Sequence, residues 1–190
     1  MRAIEFFSGI GGLHYAFASA FPGSSVVGAF DVNAVANATY ALNHLLRPRA
    51  VDLSGLDVAA ATRALGFPSA WLLSPPCQPY SRRGRGLGGR DARAWSFPAL
   101  IEGLRGLGAA ERPRLVLAEN VVGFERSETR ERVCAALEDM DYVIRELCVS
   151  PDDLGVPYSR PRVFSTRRAE ETSAEETRAA KAAATKAVAA

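Results

Sequence analysis

The sequence predicts an α/β fold, a mostly parallel central sheet flanked by helices. Three observations predict it. Short apolar runs alternate with helix-patterned stretches from Ala3 to Val149, as strand–helix–strand units do. The first run passes straight into a glycine-rich turn, Ser8-Gly9-Ile10-Gly11-Gly12. Later runs close on Asp31, on Ser74-Pro75-Pro76 and on Glu119-Asn120, polar or rigid residues at the strand ends where open α/β sheets bind ligands.

Arg2 to Phe7 reads as the first strand, and the glycine turn leads into a helix from about Leu13 to Phe21. Glycines there let the backbone approach a ligand closely at a helix N-terminus, although the spacing is not GxGxxG. A tight βα turn with no ligand uses the same residues. Val26 to Phe30 forms the second strand, closed by Asp31, and a helix follows over about Ala34 to Leu42. In Rossmann-like folds a carboxylate about twenty residues past the glycine turn accepts hydrogen bonds from ribose hydroxyls. Asn33 or Asp31 could instead cap the helix. A short third strand near Arg49 to Val51 ends in Asp52, a turn residue or an adenine-side contact, and Val58 to Leu65 is helical.

Ala70 to Leu73 suits a buried fourth strand. Pro75 and Pro76 lack N–H donors and fix φ, so the chain leaves the sheet stiff and extended with Cys77 next in line. That cysteine is either the thiol of an active-site loop or a buried structural cysteine. Between Arg82 and Arg93 the chain carries Arg82, Arg83, Arg85, Arg90 and Arg93 among four glycines and one acid, fit for gripping a polyanion's backbone or for a solvated surface loop. Trp95 to Leu107 is helical, and Arg114 to Ala118 is a fifth strand ending at Glu119-Asn120. Ser127 opens a helix running to Met140, and Tyr142 to Val149 is the sixth strand. Cys134 and Cys148 fall within these apolar-patterned elements and are expected in the core. Arg160-Pro161-Arg162 then leads into a short Val163-Phe164. Two segments are expected overall: a core over residues 1–168 and a tail from Ala169 to Ala190, in which Val188 is the only larger aliphatic residue. Such a tail is an exposed helix or disordered.

Composition narrows the function classes. A chain of 190 residues fits one domain, and no apolar run is long enough to span a bilayer. Met1 to Gly12 lacks the pattern of a signal peptide. An intracellular protein, cytoplasmic or nuclear, with no membrane partner is expected. Cys77, Cys134 and Cys148 lack metal-ligand spacing, and only His14 and His44 could join them, so no metal site is expected. The net charge of +2 is too small to argue for nucleic acid, yet lysine occurs only at Lys181 and Lys186. The arginine excess suits bidentate phosphate and base contacts, and a compositional bias of the source genome explains it equally.

Taken together, Phe7-Ser8-Gly9-Ile10-Gly11-Gly12, Asp31-Val32-Asn33, Pro75-Pro76-Cys77-Gln78, Glu119-Asn120-Val121 and Arg160-Pro161-Arg162 stand in the order and spacing of the cytosine-C5 methyltransferase family. Asp31 to Asn37, Cys77 to Tyr80, Glu119 to Glu125 and Ser127 to Arg130 resemble most its transfer-RNA aspartate methyltransferase branch. The resemblance implies a methyltransferase Rossmann-like fold that binds S-adenosyl-L-methionine, with Phe7, Gly9, Gly11, Gly12, Asp31, Val32, Asp52 and Pro75 at the cofactor. It implies Cys77 as the nucleophile that adds to cytosine C6, Glu119 as the group on the N3 and N4 edge, and Arg162 with Arg160 at the base or its adduct. The arginines from Arg82 to Arg93 would meet nucleic acid.

Complete members of the family continue into a target-recognition region and a segment that returns to close the cofactor site. Neither follows Phe164 here, as expected of a fragment, a gene-model truncation, a degenerate paralogue or half of a split enzyme; in the last case a second chain supplying the C-terminal region is the expected partner. The leading expectation is methylation of cytosine C5 in nucleic acid, transfer RNA ahead of DNA. Alternatives are a catalytically inactive cofactor- or RNA-binding fragment and an unrelated nucleotide-binding oxidoreductase, which would leave Cys77, Glu119 and Arg162 unexplained.

Overall fold

The computed structural model describes residues 1–76 and 95–169, together with Ala182. Cys77, the arginines from Arg82 to Arg93 and nearly all of the tail lie outside the described residues. Seven strands form one sheet: β1 (Arg2–Phe6), β2 (Ser25–Asp31), β3 (Arg49–Ala50), β4 (Ala70–Leu73), β5 (Leu115–Val121), β6 (Tyr142–Val149) and β7 (Arg162–Ala169), in the order β3-β2-β1-β4-β5-β7-β6. The helices are α1 (Gly12–Ala20), α2 (Ala34–His44), α3 (Val58–Ala64), α4 (Ser96–Glu102) and α5 (Glu128–Glu138). β1 to β5 pair in parallel, and β7 runs antiparallel between β5 and β6.

Alternation along the strands builds two cores. Ile4, Phe6, Trp71, Leu73, Val116 and Ala118 point to one face and pack under α3, α4 and α5, with Val58, Leu100, Ile101 and Leu137 above them. Ala3, Ala70, Leu72, Leu115 and Leu117 point to the other face, where Leu13 and Phe17 of α1 cover them. Because both faces are covered, the central strands read as continuous apolar runs rather than as alternating ones.

The topology also decides where a ligand can enter. The chain winds outward from β1 to β3, then α3 carries it back so that β4 lies against the other side of β1. Strand order therefore reverses between β1 and β4, and the carboxyl ends of these two neighbours flank the crevice where doubly wound sheets bind ligands. The glycine turn follows β1, and Ser74-Pro75-Pro76 follows β4.

Three elements differ from expectation, each for a long-range reason. The last strand, expected to be short, runs from Arg162 to Ala169, because β5 and β6 offer it hydrogen-bonding partners on both sides and the ladder does not depend on apolar residues. The same partner extends β5 to Val121: β4 ends at the Leu73–Ala118 pair, whereas β7 pairs on through Glu119–Phe164 to Val121–Arg162. Glu119 thus sits inside a strand, not beyond one. Cys134 is buried as expected, but Cys148 is exposed, which corrects its core assignment. On the edge strand β6, α5 reaches as far as Glu146, which Arg130 grips through Nε and Nη2, at 3.0 and 2.5 Å, and Cys148 lies beyond that cover.

Candidate active site at the carboxyl ends of the strands

The turn after β1 is held by side chains from both neighbouring elements. Phe7 sits at φ 54, a left-handed conformation unusual for a bulky residue, and Gly9 and Gly11 follow at φ 51 and 93. Asp31, at the end of β2, accepts the backbone N–H of Gly9 on one carboxylate oxygen (2.9 Å) and that of Asn33 on the other (2.8 Å). A carboxylate has about four acceptor sites, so two remain for a ligand's hydroxyls. The helix cap falls to Asn33, whose side chain accepts from Val35 and Ala36. Of the two capping residues left open by the sequence, Asn33 caps and Asp31 fastens the turn.

An open cleft of about 430 Å³ lies beside this turn. Phe7, Asp31, Val32, Asp52, Ser74, Pro76 and Ser96 line it, over an apolar floor of Val51 and Leu53. Four of the expected cofactor residues, Phe7, Asp31, Val32 and Asp52, therefore meet in one place. Asp52 is a turn residue as well: its Oδ1 accepts from Ser54 N (2.9 Å) and Ser54 Oγ (2.8 Å), which hold its carboxylate below the usual range. Pro75 is buried, and its neighbour Pro76 lines the cleft. Ser74 N still donates to Phe6 O (3.3 Å), extending the β1–β4 ladder by one residue, and the two prolines then end it for want of N–H groups.

The glycines of the turn have different jobs. A Cβ on Gly9 or Gly12 would meet nothing within 4 Å, whereas one on Gly11 would strike the His44 ring. Gly11 is required by packing. Beneath it lies a buried polar network that the sequence reading missed. Glu5 is 1% exposed and accepts a hydrogen bond from Tyr40 Oη (2.7 Å), which also pairs with His14 Nδ1 (2.8 Å). Glu5 accepts from the backbone N–H of His14 too. The N-cap of α1 is Gly11, which has no side chain to cap with, so the Glu5 carboxyl takes one of the helix's free N–H groups from below. Burial pushes Glu5 up to about 8, and burial with the nearby His44 pulls His14 down to about 4. The His14 and His44 rings stack at 3.9 Å, and α2 grips the turn's carbonyls through His44 to Gly11 O (3.1 Å) and Asn43 to Ile10 O (3.2 Å). The available signal was the spacing of Tyr40 and His44, one helical turn apart on α2 and so on one face.

Across the sheet from this turn, Glu119 of β5 pairs with Arg162, the first residue of β7, at 2.9 Å between Oε1 and Nε. The two side chains are 26% and 18% exposed, so the pair is half-buried at the sheet's carboxyl edge. Burial raises the Glu119 pKa, and the charges of Arg162 and Arg160 act against that rise. Arg160 is exposed, its backbone N–H held by Ser150 Oγ (3.0 Å). Beside Glu119, Asn120 is 3% exposed, and its Nδ2 has no partner among the described residues.

With that geometry in view, comparison with known proteins decides the family. The sequence matches the C-5 cytosine-specific DNA methylase family over residues 1–188. The chain belongs to this family. It is 38% identical over 168 residues to the human tRNA (cytosine(38)-C(5))-methyltransferase, an alignment covering 86% of this chain and 41% of that protein. A Dictyostelium discoideum protein named DNA (cytosine-5)-methyltransferase is 33% identical, covering 86% and 43%. The crystal structure of the S. pombe Dnmt2 methyltransferase superposes with a TM-score of 0.78 at 32% identity, over 91% of this chain and 51% of that one. The chain thus spans between two fifths and about half the length of these relatives. Its sheet is the α/β methyltransferase arrangement expected from the sequence, and among the described residues no helix is long and apolar enough to cross a membrane and no cluster of metal-ligating side chains occurs.

Proposed function

We propose that this chain carries the cofactor and catalytic half of a cytosine-C5 methyltransferase that uses S-adenosyl-L-methionine and acts on nucleic acid, transfer RNA ahead of DNA. The observation that carries the reading is the Glu119–Arg162 pair, standing at the same sheet edge as the glycine turn and one strand from the Pro75-Pro76 exit that precedes Cys77. The preference for transfer RNA rests on the greater identity to the human enzyme named for it.

The cleft suits the cofactor. Asp31 and Asp52 offer carboxylate oxygens for ribose or adenine edges and Phe7 an aromatic face, and Gly9, whose N–H is held by Asp31, has open space around it that leaves its backbone free to be approached closely. Ser8 Oγ is buried and has no partner among the described residues, a group a ligand could satisfy. When bound, the cofactor supplies an electrophilic methyl group. The chain's own residues must then make cytosine C5 nucleophilic. The Cys77 thiolate would add to C6, forming an S–C6 bond and moving electron density to C5 and N3. Glu119 would donate a proton to N3 as that charge develops, and its raised pKa keeps a proton available to higher pH. After C5 is methylated, a water acting as base would take its proton, the freed electron pair would re-form the C5–C6 double bond as the S–C6 bond breaks and the thiolate leaves, and the N3 proton would return to Glu119. Arg162 holds the Glu119 carboxyl in place and steadies the adduct's charge.

Trapping with 5-fluorocytosine in a transfer-RNA anticodon stem-loop tests this, because fluorine at C5 cannot leave as a proton does. A stable protein–RNA adduct should form with cofactor present, vanish in Cys77→Ala and persist in Cys134→Ala and Cys148→Ala. Glu119→Gln should slow its formation by about 10²-fold or more. The assay is run on the chain alone and with the C-terminal half of a relative supplied in trans. Methylation by the completed protein with Cys77 replaced would sink the assignment.

A further inference from the structure

Trp95 is one of two tryptophans in the chain, and the two are opposites: Trp71 is fully buried in β4, whereas Trp95 is 52% exposed. Trp95 is the N-cap of α4 and immediately precedes Ser96, which lines the cleft. Arg132, in the second turn of α5, lies over it with its guanidinium carbon 4.8 Å from the ring centroid. No other exposed large apolar side chain lies on α4 or α5. An apolar protein partner would need a wider patch than one ring. A single ring backed by a cation is instead the equipment of nucleic-acid grooves, where an aromatic face takes a base and the adjacent charge favours a polyanion.

We propose that Trp95, ordered by Arg132, is a stacking platform for an unpaired base of the substrate nucleic acid next to the cleft. The proposal rests on the nucleic-acid reading above. Holding the indole in place before binding reduces the ordering cost of the stack. Because every base has a π-face, such a platform contributes affinity with little sequence preference.

Intrinsic fluorescence reads it directly, since Trp71 is inaccessible and serves as an internal reference. The full chain is titrated with a labelled oligoadenylate, with the deoxyadenosine chain of the same length and with an abasic sugar–phosphate chain, following both anisotropy and tryptophan emission. The oligoadenylate should quench the emission of the native chain and leave that of Trp95→Phe unchanged. Trp95→Ala should bind about tenfold more weakly, Trp95→Phe by a smaller factor, with native circular dichroism in both. Quenching by both adenine chains would assign the contact to the base alone, and quenching by the ribose chain alone would assign it to RNA. Equal quenching by the abasic chain, or an affinity unchanged in Trp95→Ala, overturns the platform while leaving the nucleic-acid reading intact. Absence of binding to either adenine chain overturns both. Self-association of the chain that Trp95→Ala abolishes would mark a protein contact instead and overturn the platform.

Discussion

Glu5 and Glu119 are both carboxyls whose proton affinity is raised by burial, yet their surroundings give them different consequences. Glu5 has no cation beside it and serves structure: below its ordinary value of 4.5 both folded and unfolded chains hold the proton, and between 4.5 and about 8 only the unfolded chain releases it. Its contribution to stability is therefore full in acid and lost as pH rises through 8. His14, depressed to about 4 from 6.5, works in the opposite sense, with its contribution full above 6.5 and lost as pH falls through 4. In Glu5→Gln the alkaline loss should vanish while the acid loss remains, read as the urea midpoint across pH 3 to 9. Glu119, with Arg162 and Arg160 facing it, is held back from a larger rise. Arg162→Ala should raise the Glu119 pKa further and Arg162→Lys less so, measured by carbon-13 carboxyl titration; an unchanged or lowered value in the alanine variant would mean that the pair does not govern the carboxyl. Gly11 is the third informative residue. Gly11→Ala combines a left-handed φ of 93 with a clash against His44, so a loss of about 2 kcal/mol or more in unfolding free energy is expected, against a smaller loss for Gly12→Ala, where the Cβ enters open space.

Elements differ in how far their own residues specify them. α5 starts where Ser127 Oγ accepts the N–H of Arg130 at 3.1 Å, with Glu128 and Glu131 in the first turn to complement the helix dipole. Ser127→Ala should cost about 1 kcal/mol, and Ser127→Asp should restore most of it, as chemical denaturation would show. β5 and β7 depend instead on each other. The polar stretch of β7 is a strand because two ladders flank it, and this in turn keeps Glu119 inside β5, across from the strand that begins with Arg162. Proline at Ser165 would break bonds in the middle of that three-strand region and should weaken the Glu119–Arg162 pair along with the sheet, visible as faster amide exchange at Glu119 and Val163.

For the whole molecule, the sheet's centre and edges should differ sharply in stability. β1, β4 and β5 lie between two cores and are flanked by strands on both sides, whereas β3 has two residues and β6 is an edge with Val143, Arg145 and Cys148 exposed. Amides of Ile4, Leu72 and Val116 should exchange near the global unfolding limit, and those of Ala50 and Val143 orders of magnitude faster. Comparable exchange at all five positions would mean that the sheet opens as one unit with its edges.

The sequence by itself determined the features that local chemistry controls: the alternation of runs, the glycine turn, the helix start at Ser127, the proline exit from β4 and Asp31 closing β2. These depend on φ restrictions, missing N–H groups and short-range side-chain acceptors, all of which are written in a few adjacent residues. The motif set also reached the family, because each motif keeps its place along the chain. Only the tertiary structure decided that β4 returns beside β1, and hence that the glycine turn and Ser74-Pro75-Pro76 border one crevice. The joining of Glu119 to Arg162, the exposure of Cys148 and the polar network of Glu5, Tyr40 and His14 were decided there too. Each is set by which distant strand or helix supplies a partner, and by how much water that partner removes, and residues far apart in the chain carry no local mark of either.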